Sequence, residues 1–349
     1  MATVGLSVPI SVLDLAFVGR DRAVSDALNA TVAVARRAEE LGYKRVWYAE
    51  HHNMSTIGSS ATAVLVAHVA AHTKKIRLGA GGVMLPNHAP LLIAEQFGTL
   101  AELHPGRIDL GLGRAPGTDQ NTARALRRDV TAADTFPQDV QELQGFLTGE
   151  TLIPNVHAVP GRGTNVPLYI LGSSLFGAQL AALLGLPYAF ASHFAPQALE
   201  QAITVYRESF QPSKQLDRPY VIAAVNVLAA DEEDEAHRQF ETRRREFARG
   251  IFSRPGQRVG DAQLDAILAS PQADQVDQML QYTAMGRPDA VTAYLEKFLA
   301  LTQADELITA HQADTPEGRL RSLELLAQGW LDPIASKHES RPGERAASE

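Results

Sequence analysis

The sequence predicts an α/β protein of the (β/α)8 TIM-barrel class. Short apolar segments alternate with longer amphipathic segments along most of the chain, which indicates a parallel sheet with helices packed on it. The alternation repeats eight times, and this favours a closed barrel over an open sheet. The chain has 349 residues, of which 45% are hydrophobic, enough for a large buried core.

Eight short apolar runs are the predicted strands: residues 4–8, 46–49, 76–81, 107–113, 168–172, 188–191, 220–228 and 305–308. Segments with helical spacing are the predicted helices: residues 24–41, 60–72, 90–103, 139–147, 177–184, 196–210, 231–247 and 317–328. Gly42 and Gly185 follow two of these helices as expected for C-caps, and Pro90 suits a first helical turn. Residues 220–228 are almost wholly apolar, which is typical of a strand buried on both faces.

Two interruptions of this alternation, residues 149–167 and residues 249–286, predict insertions after strands four and seven. Residues 117–135 are polar and predict a loop or short helix, and residues 149–167 are rich in Gly, Pro and Asn and predict a surface excursion. Residues 249–286 are too long for an ordinary connection, so we expect either a lid or a disordered insert. The predicted organisation is one barrel domain, residues 1–335, followed by a disordered tail, residues 336–349.

Composition narrows the classes of protein further. The formal net charge is −8, and this does not favour nucleic acid or an anionic membrane as a partner. The chain has no cysteine, which excludes disulfides, thiolate metal sites and cysteine nucleophiles. No signal peptide or membrane-spanning segment is predicted, so we expect a soluble, cytoplasmic protein.

Glu50-His51-His52 directly follows the second predicted strand. The catalytic face of such a barrel lies at the carboxyl ends of its strands, and histidine has the side-chain pKa nearest neutral pH. These residues therefore predict acid–base catalysis; the alternative is two surface histidines that cap the strand end. A metal site is not predicted, since sequence neighbours point in different directions and no HxH or HxxxH pair supplies further ligands. The sequence contains no GxSxG segment, so a serine hydrolase is not predicted.

Gly81 and Gly82 lie at the end of the third predicted strand. Adjacent glycines permit a bulge or a cis peptide, and they let a flat ligand approach the backbone closely. The alternative is a barrel strand that needs small residues for packing. The segment does not fit GxGxxG, so a dinucleotide fingerprint is not supported.

Two further segments predict a phosphate site on the same face. Arg114 follows strand four, where a guanidinium suits phosphate, although it could be a salt-bridged loop arginine. Strand five runs into Gly172-Ser173-Ser174 and then into a helix, whose N-terminal N–H groups and serine hydroxyls form an anion pocket. Ser173 or Ser174 could also serve as a plain N-cap. Phosphate, ring and histidine positions together outline a flavin mononucleotide (FMN) site, although these features alone do not separate FMN from a sugar phosphate.

The sequence resembles the bacterial luciferase-like flavin-dependent monooxygenases over nearly the whole chain, residues 4–329. Seven segments in order carry the resemblance: AEELGY (38–43), WYAEHHN (47–53), GGVMLPNH (81–88), AEQFGTL (94–100), PGRIDLGLGRAPG (105–117), DELI (305–308) and RLRS (319–322). The number of segments and their shared order make the resemblance specific.

The resemblance implies a TIM barrel that uses reduced FMN and O2. In the family a separate flavin reductase supplies the reduced FMN, and oxygen forms a C4a-hydroperoxide that oxygenates an aldehyde or another small organic substrate. The implied partners are the reductase, O2 and the organic substrate. Luciferase's second type of subunit is not implied, so a homodimer is the simpler expectation. Relatives of luciferase use the deazaflavin F420 for hydride transfer, and others bind flavin without catalysis. An F420-dependent oxidoreductase and a non-catalytic flavin-binding protein therefore remain alternatives.

The resemblance also assigns roles to individual residues. His51 matches the histidine beside the reacting flavin edge, and Glu50 precedes it as in the family; these are the expected catalytic residues. Gly81 and Gly82 match a pair that forms a non-proline cis peptide against the flavin. The residues matched to the phosphate site and its turn are Arg114, Ser173, Ser174 and Gly177. Residues 249–286 fall where luciferase has its mobile lid.

Three residues depart from the luciferase pattern. Gly177 stands where luciferase has a hydroxyl residue that helps to hold phosphate, Ser173 where it has a glutamate, and Leu112 where it has a reactive cysteine. Flavin binding stays compatible with these changes, but they argue against light emission and against a preference for long-chain aldehydes.

Overall fold

The computed structural model describes residues 8–19, 22–115, 120–128, 130–253 and 259–331. Within these ranges the strands are β1 (Ile10–Asp14), β2 (Arg45–Tyr48), β3 (Arg77–Met84), β4 (Ile108–Gly113), β5 (Leu168–Gly172), β6 (Tyr188–Phe190), β7 (Val221–Ala229), β8 (Thr283–Gly286) and β9 (Glu306–His311). All pair in parallel, and eight of them close a ring in the order β1–β2–β3–β4–β5–β6–β7–β9. The predicted (β/α)8 barrel is therefore confirmed.

The first strand is not where the sequence predicted it. Residues 4–7 of that prediction lie outside the described residues, Val8 is not in a strand, and β1 begins after Pro9. Ser11 and Asp14 make β1 look too polar for a buried strand. Both find internal partners: the Ser11 hydroxyl donates to Glu306 Oε1 at 2.5 Å, and Asp14 Oδ1 accepts from the Ala16 amide at 2.8 Å.

The last barrel strand is the ninth in chain order, not the eighth. The segment predicted at residues 305–308 is β9, which closes the ring between β7 and β1. The additional strand, β8, pairs with the carboxyl-terminal half of β7 and lies inside the segment predicted as an insertion. Only four residues long, β8 carries too little apolar periodicity to be seen in the sequence.

Helices surround the barrel between its strands: α1 (Val24–Leu41), α2 (Thr62–Ala70), α3 (Pro90–Leu103), α4 (Gln120–Ala125), α5 (Phe136–Thr148), α6 (Leu175–Leu184), α7 (Leu199–Ser209), α8 (Glu233–Phe252), α9 (Asp261–Leu268), α10 (Ala273–Met279), α11 (Pro288–Thr302) and α12 (Pro316–Trp330). The predicted C-caps are confirmed, since Gly42 and Gly185 both adopt left-handed backbone with φ of 86° and 62°. Among the helices described here, none is long and apolar enough to cross a membrane.

Side chains alternate between the inside of the barrel and the layer of helices. The inward-facing apolar side chains form one cluster: Leu13, Trp47, Ala49, Tyr169, Ala189, Ile222, Ala224 and Ile308. The opposite faces of the strands pack on the helices in a larger cluster that includes Val12, Val46 and Val225. Residues that continue the inward spacing beyond the carboxyl ends of the strands therefore face the mouth of the barrel.

A buried ionic network fills the amino-terminal half of the barrel. Arg45 Nη1 donates to Asp109 Oδ2 at 2.8 Å and to the Tyr169 hydroxyl at 2.7 Å, and its Nη2 donates to Glu306 Oε2 at 3.0 Å. Burial alone would raise the pKa of Glu306, but Arg45 and Lys44 lower it, so the carboxylate stays ionised. Paired side chains therefore occupy this half of the barrel.

The insertion after β7 has its own small apolar core. Helix α8 continues to Phe252, beyond residue 247 where the predicted helix ends. Apolar residues of α8, α9, α10 and the adjoining loops form a cluster separate from the barrel core: Ala248, Val259, Leu264, Ile267, Val276 and Leu280. Of the two predicted alternatives for residues 249–286, a disordered insert is therefore wrong for the described part. The tail predicted at residues 336–349 lies outside the described residues.

His311, the last residue of β9, is buried against α12. Its Nδ1 lies 2.9 Å from the Ser322 hydroxyl and its Nε2 lies 3.2 Å from the Thr309 hydroxyl. Burial, with a smaller effect from the charge of Arg319, lowers the pKa of His311 to about 3. The ordinary pKa of histidine is about 6.5. Between these pH values the unfolded chain binds a proton that the folded chain does not.

We expect His311 to make the fold sensitive to acid. As pH falls from about 6.5, the free energy of unfolding should fall by up to ~1.4 kcal/mol per pH unit through this group. His311→Gln should flatten that dependence, and urea unfolding from pH 7 to pH 5 measures it. His237→Gln, on an exposed position of α8, is the matched control. Equal slopes for His311→Gln and the wild type would show that the acid sensitivity has another source.

Candidate active site

Glu50 links the end of β2 to β3 and to the loop that follows β3. Its Oε1 accepts hydrogen bonds from Nε2 of His52 and Nε2 of His88, each at 2.8 Å, and its Oε2 accepts from the Met84 amide at 3.1 Å. Burial would raise the pKa of Glu50, but these donors lower it overall, so the group is an ionised carboxylate. At 1% exposure, Glu50 organises three neighbours rather than facing the mouth.

His51 faces the opposite way, into the mouth. It continues the inward spacing of Trp47 and Ala49, which line the barrel interior. Its backbone N–H donates to the Ser59 carbonyl at 3.1 Å, while its buried Nδ1 has no hydrogen-bond partner among the described residues. Burial lowers the pKa of His51 despite the nearby charge of Glu50. A neutral imidazole with an unsatisfied nitrogen therefore lies where a ligand would enter.

His193, which sequence reasoning missed, is a second histidine at the mouth. It follows β6, which stands opposite β2 in the ring with three strands between them on either side. Burial, with a smaller effect from the charge on His51, lowers the pKa of His193 to about 4. The His193 carbonyl accepts a hydrogen bond from Asn226, which continues the inward spacing of Ile222 and Ala224 on β7, so His193 lies at the mouth. The sequence held the same signal as at His51, a histidine just after an apolar strand.

The peptide bond between Gly81 and Gly82 is cis, as the resemblance implied. A Cβ on Gly82 would lie 2.7 Å from the carbonyl oxygen of Gly111, and a Cβ on Gly81 would lie 2.8 Å from Trp47 Cβ. The register of β3 against β4 shifts between Ala80 and Val83, at this same pair. Close packing therefore requires glycine at both positions, whether or not a ligand binds there. Contact between these glycines and a flavin stays a prediction.

Arg114 lies just after β4 and reaches the start of α6. The guanidinium carbon is 4.1 Å from the ring centroid of Phe176, in the first turn of that helix. Ser174 occupies the N-cap position, but its hydroxyl makes no capping hydrogen bond. Arg114 and Ser174 are both exposed. The structure thus brings Arg114, Ser173 and Ser174 to the N-terminus of α6. The Ser174 hydroxyl makes no capping hydrogen bond to this helix.

Gly177 lies beneath this turn. A Cβ there would lie 3.3 Å from Tyr188 Cε2 and 3.6 Å from Gly172 Cα, so its small size allows α6 to close onto β5 and β6. The Tyr188 hydroxyl donates to the Ser174 carbonyl at 3.1 Å and holds the turn in place. Any contact between Gly177 and a phosphate would be limited to its backbone N–H.

These residues suit FMN. A guanidinium and the N–H groups of a helix start suit a phosphate, and the unsatisfied Nδ1 of His51 offers a partner to a polar ring edge inside the mouth. The part of the chain that the structure describes contains no group of three or more His, Cys, Asp or Glu side chains that could hold a metal ion.

Comparison with known proteins adds independent information. The family described as luciferase-like monooxygenase matches residues 8–306. A luciferase-like monooxygenase of Escherichia coli (strain K12) is 45% identical over 321 residues, which are 91% of this chain and 96% of that protein. An N-acetyl-S-alkylcysteine monooxygenase of Bacillus subtilis (strain 168) is 35% identical over 237 residues, 65% of this chain and 70% of that protein.

Solved structures share the fold. The crystal structure of apo-MsnO8 superposes with a TM-score of 0.82 at 34% identity, covering 93% of this chain and 98% of that chain. A type II Baeyer–Villiger monooxygenase in complex with FMN gives a TM-score of 0.70 at 18% identity, covering 93% and 98%. An F420-dependent secondary alcohol dehydrogenase gives 0.67 at 16% identity, covering 93% and 99%. The last two likenesses establish the fold alone.

The family match spans most of the barrel, and the relative from E. coli extends over nearly the full length of both proteins. This chain therefore belongs to the luciferase-like monooxygenase family.

Proposed function

We propose that this chain is a monooxygenase that uses reduced FMN and O2 to oxygenate a small organic substrate, an aldehyde or a similar compound. The observation that carries the proposal is the unsatisfied, buried Nδ1 of His51 at the barrel mouth. Reduced FMN supplies the electrons that activate O2, and the protein supplies binding, orientation and proton handling.

The proposed FMN site uses two adjoining regions. Arg114, the hydroxyls of Ser173 and Ser174 and the N–H groups at the start of α6, including that of Gly177, hold the phosphate. The ring lies against Gly81 and Gly82 at the end of β3. Support comes from the contact that Arg114 makes with the first turn of α6, which sets a cation beside the helix N-terminus.

Within this proposal His51 is the catalytic residue and Glu50 is a positioning residue. His51 is neutral near pH 7 because burial lowers its pKa, so its Nδ1 is able to take up a proton next to the reacting atoms. Glu50 cannot face the same atoms, since it is buried and occupied by three donors. Its role is to keep the end of β2 aligned with β3.

The insertion is the proposed lid. Its helices α9 and α10 pack on α8 through their own apolar cluster, an arrangement that suits a unit able to shift as a whole over the mouth. A closed lid would exclude water from the reaction. The proposed partners are a separate flavin reductase, which delivers reduced FMN, and a second copy of the chain in a homodimer.

Cofactor titration followed by an oxygen-uptake assay tests the proposed function. FMN and F420 are titrated separately, and reduced FMN is then mixed with O2 and a panel of aldehydes and thioethers. Tight FMN binding with oxygen-dependent product supports a monooxygenase. Preferential F420 binding would favour the oxidoreductase alternative, and FMN binding without turnover of any compound would favour a non-catalytic flavin-binding protein.

Arg114→Ala should raise the Kd of FMN by about 10- to 100-fold, since a hydrogen bond to a charged group is worth about 1.5–3 kcal/mol. Riboflavin, which lacks the phosphate, should bind the variant as well as it binds the wild type. Fluorescence titration of both ligands measures the two constants. If the Kd of riboflavin rises as much as that of FMN, Arg114 does not contact the phosphate.

A further inference from the structure

A chain of hydrogen bonds lines the mouth on the side opposite the glycine pair. Asn226, near the end of β7, donates through Nδ2 to the His193 carbonyl at 2.6 Å. Gln312, the residue after β9, donates through Nε2 to Asn226 Oδ1 at 2.7 Å. Asn226 is fully buried and Gln312 is 5% exposed. These three residues, His193, Asn226 and Gln312, form a polar wall.

The orientation of both amides in the polar wall follows from the His193 carbonyl. A carbonyl only accepts, so Asn226 must present its NH2 group there and its oxygen on the other side. Gln312 must then present its own NH2 group to that oxygen. The Gln312 Oε1 is consequently turned away from the chain of hydrogen bonds, as an acceptor.

Two atoms of the polar wall are buried without a hydrogen-bond partner in the described part of the protein: Gln312 Oε1 and His193 Nδ1. Leaving a buried polar atom unsatisfied costs about 1–3 kcal/mol. A site with one such atom on the residue at each end of a chain of hydrogen bonds is suited to a ligand that supplies the missing partners.

The polar wall faces the place where the reaction is proposed to occur. Asn226 continues the inward spacing of Ile222 and Ala224, and Gln312 continues that of Ile308. In the ring of eight strands, β7 stands opposite β3, which ends at Gly81 and Gly82. A ring held on the β3 side would leave a substrate between itself and the polar wall.

We propose that His193, Asn226 and Gln312 form a substrate subsite for a neutral group that carries an N–H or O–H, such as a secondary amide or a hydroxyl. The substrate's donor hydrogen bonds to Gln312 Oε1, and a neighbouring polar atom of the substrate meets His193 Nδ1. Asn226 is a positioning residue that sets the direction of the Gln312 amide. The subsite deepens the proposed function, on which it rests for the fate of the bound substrate.

Such a subsite discriminates by the presence of one hydrogen. A site built to bond a polar group rejects an analogue that lacks it far more strongly than an apolar pocket rejects an extra methylene. An amide and its matching ester differ at this point alone, because the ester has an oxygen in place of the N–H. They are therefore the sharpest pair of probes for Gln312 Oε1.

The test measures the Kd of N-octylacetamide and of octyl acetate by calorimetry, on protein without flavin and on FMN-loaded protein. The wild type should bind the amide at least ~10-fold more tightly than the ester. Gln312→Met, which keeps the volume and loses the acceptor, should bring the ratio of the two Kd values to about one by weakening the amide. Gln278→Met, at an exposed position of α10, should keep the wild-type ratio.

Equal affinities in wild-type protein, or a preference that survives in Gln312→Met, would overturn the subsite. The wild-type ratio alone decides the matter if Gln312→Met does not fold. The two proposals fail separately: turnover with FMN but no amide preference contradicts only the subsite, whereas amide preference without FMN binding contradicts only the monooxygenase.

Discussion

His51→Ala should lower the rate of substrate oxygenation by about 10²-fold or more while the Kd of FMN stays nearly unchanged. The physical reason is that the variant removes the unsatisfied imidazole nitrogen at the mouth and leaves the phosphate site on α6 untouched. The fraction of consumed O2 that appears in product, rather than as hydrogen peroxide, is the measurement. His237→Ala, at an exposed position on α8, is the matched control.

The pH profile gives this variant a second readout. Since burial lowers the pKa of His51, the neutral, proton-accepting form persists below the ordinary histidine pKa of about 6.5. The wild-type rate should therefore hold steady down to that pH and fall only at more acidic pH. His51→Asn should lose this acid limb. Unchanged coupling in His51→Ala, or an acid limb that persists in His51→Asn, would rule out the catalytic role.

Gly82→Ala should lower the free energy of unfolding by about 1–3 kcal/mol, as overpacked sites commonly do, and should weaken FMN binding. The added Cβ would lie 2.7 Å from the Gly111 carbonyl oxygen and 3.1 Å from the Leu112 nitrogen. Both are backbone atoms of β4, which cannot rotate aside as a side chain would. The ends of β3 and β4 would have to separate where the ring of the flavin is proposed to lie.

The neighbouring strand offers a matched control. A Cβ on Gly113 would have only the Val83 carbonyl oxygen within 4 Å, at 3.9 Å, so Gly113→Ala should change both stability and FMN affinity little. Thermal unfolding and FMN titration of the two variants measure the contrast. Equal losses in Gly82→Ala and Gly113→Ala would mean that the close approach at Gly82 is not the cause.

The barrel class was within reach of the sequence because strand and helix periodicity are local properties. An apolar run such as residues 220–228 predicts a buried strand from its own composition, and the structure confirms it as β7. Gly42 and Gly185 mark helix ends for an equally local reason, since glycine tolerates the left-handed backbone that a C-cap requires. The same logic located His51, Arg114 and Ser174 at the ends of strands.

The missed features depend on partners remote in sequence. Ser11 and Asp14 make β1 too polar to be recognised as a buried strand from its sequence. The Ser11 hydroxyl finds its hydrogen-bond partner in Glu306, 295 residues away. The polar wall joins His193, Asn226 and Gln312, which lie at or just beyond the ends of three different strands. No local sequence pattern therefore predicts it. The sequence also left open whether the glycine pair serves packing or a ligand, and the distance from Gly82 to the backbone of β4 shows that packing requires it.

The sequence by itself determined the alternation of strands and helices, the family, and the candidate residues at the ends of strands two to five. Tertiary structure decided which neighbour faces the mouth: His51 points inward, and Glu50 is buried among three donors. It also decided that His193 stands across from His51. The physical reason is ring closure. Because β9 pairs with both β1 and β7, the strand ends form one ring, and side chains from distant segments of the sequence meet at its mouth.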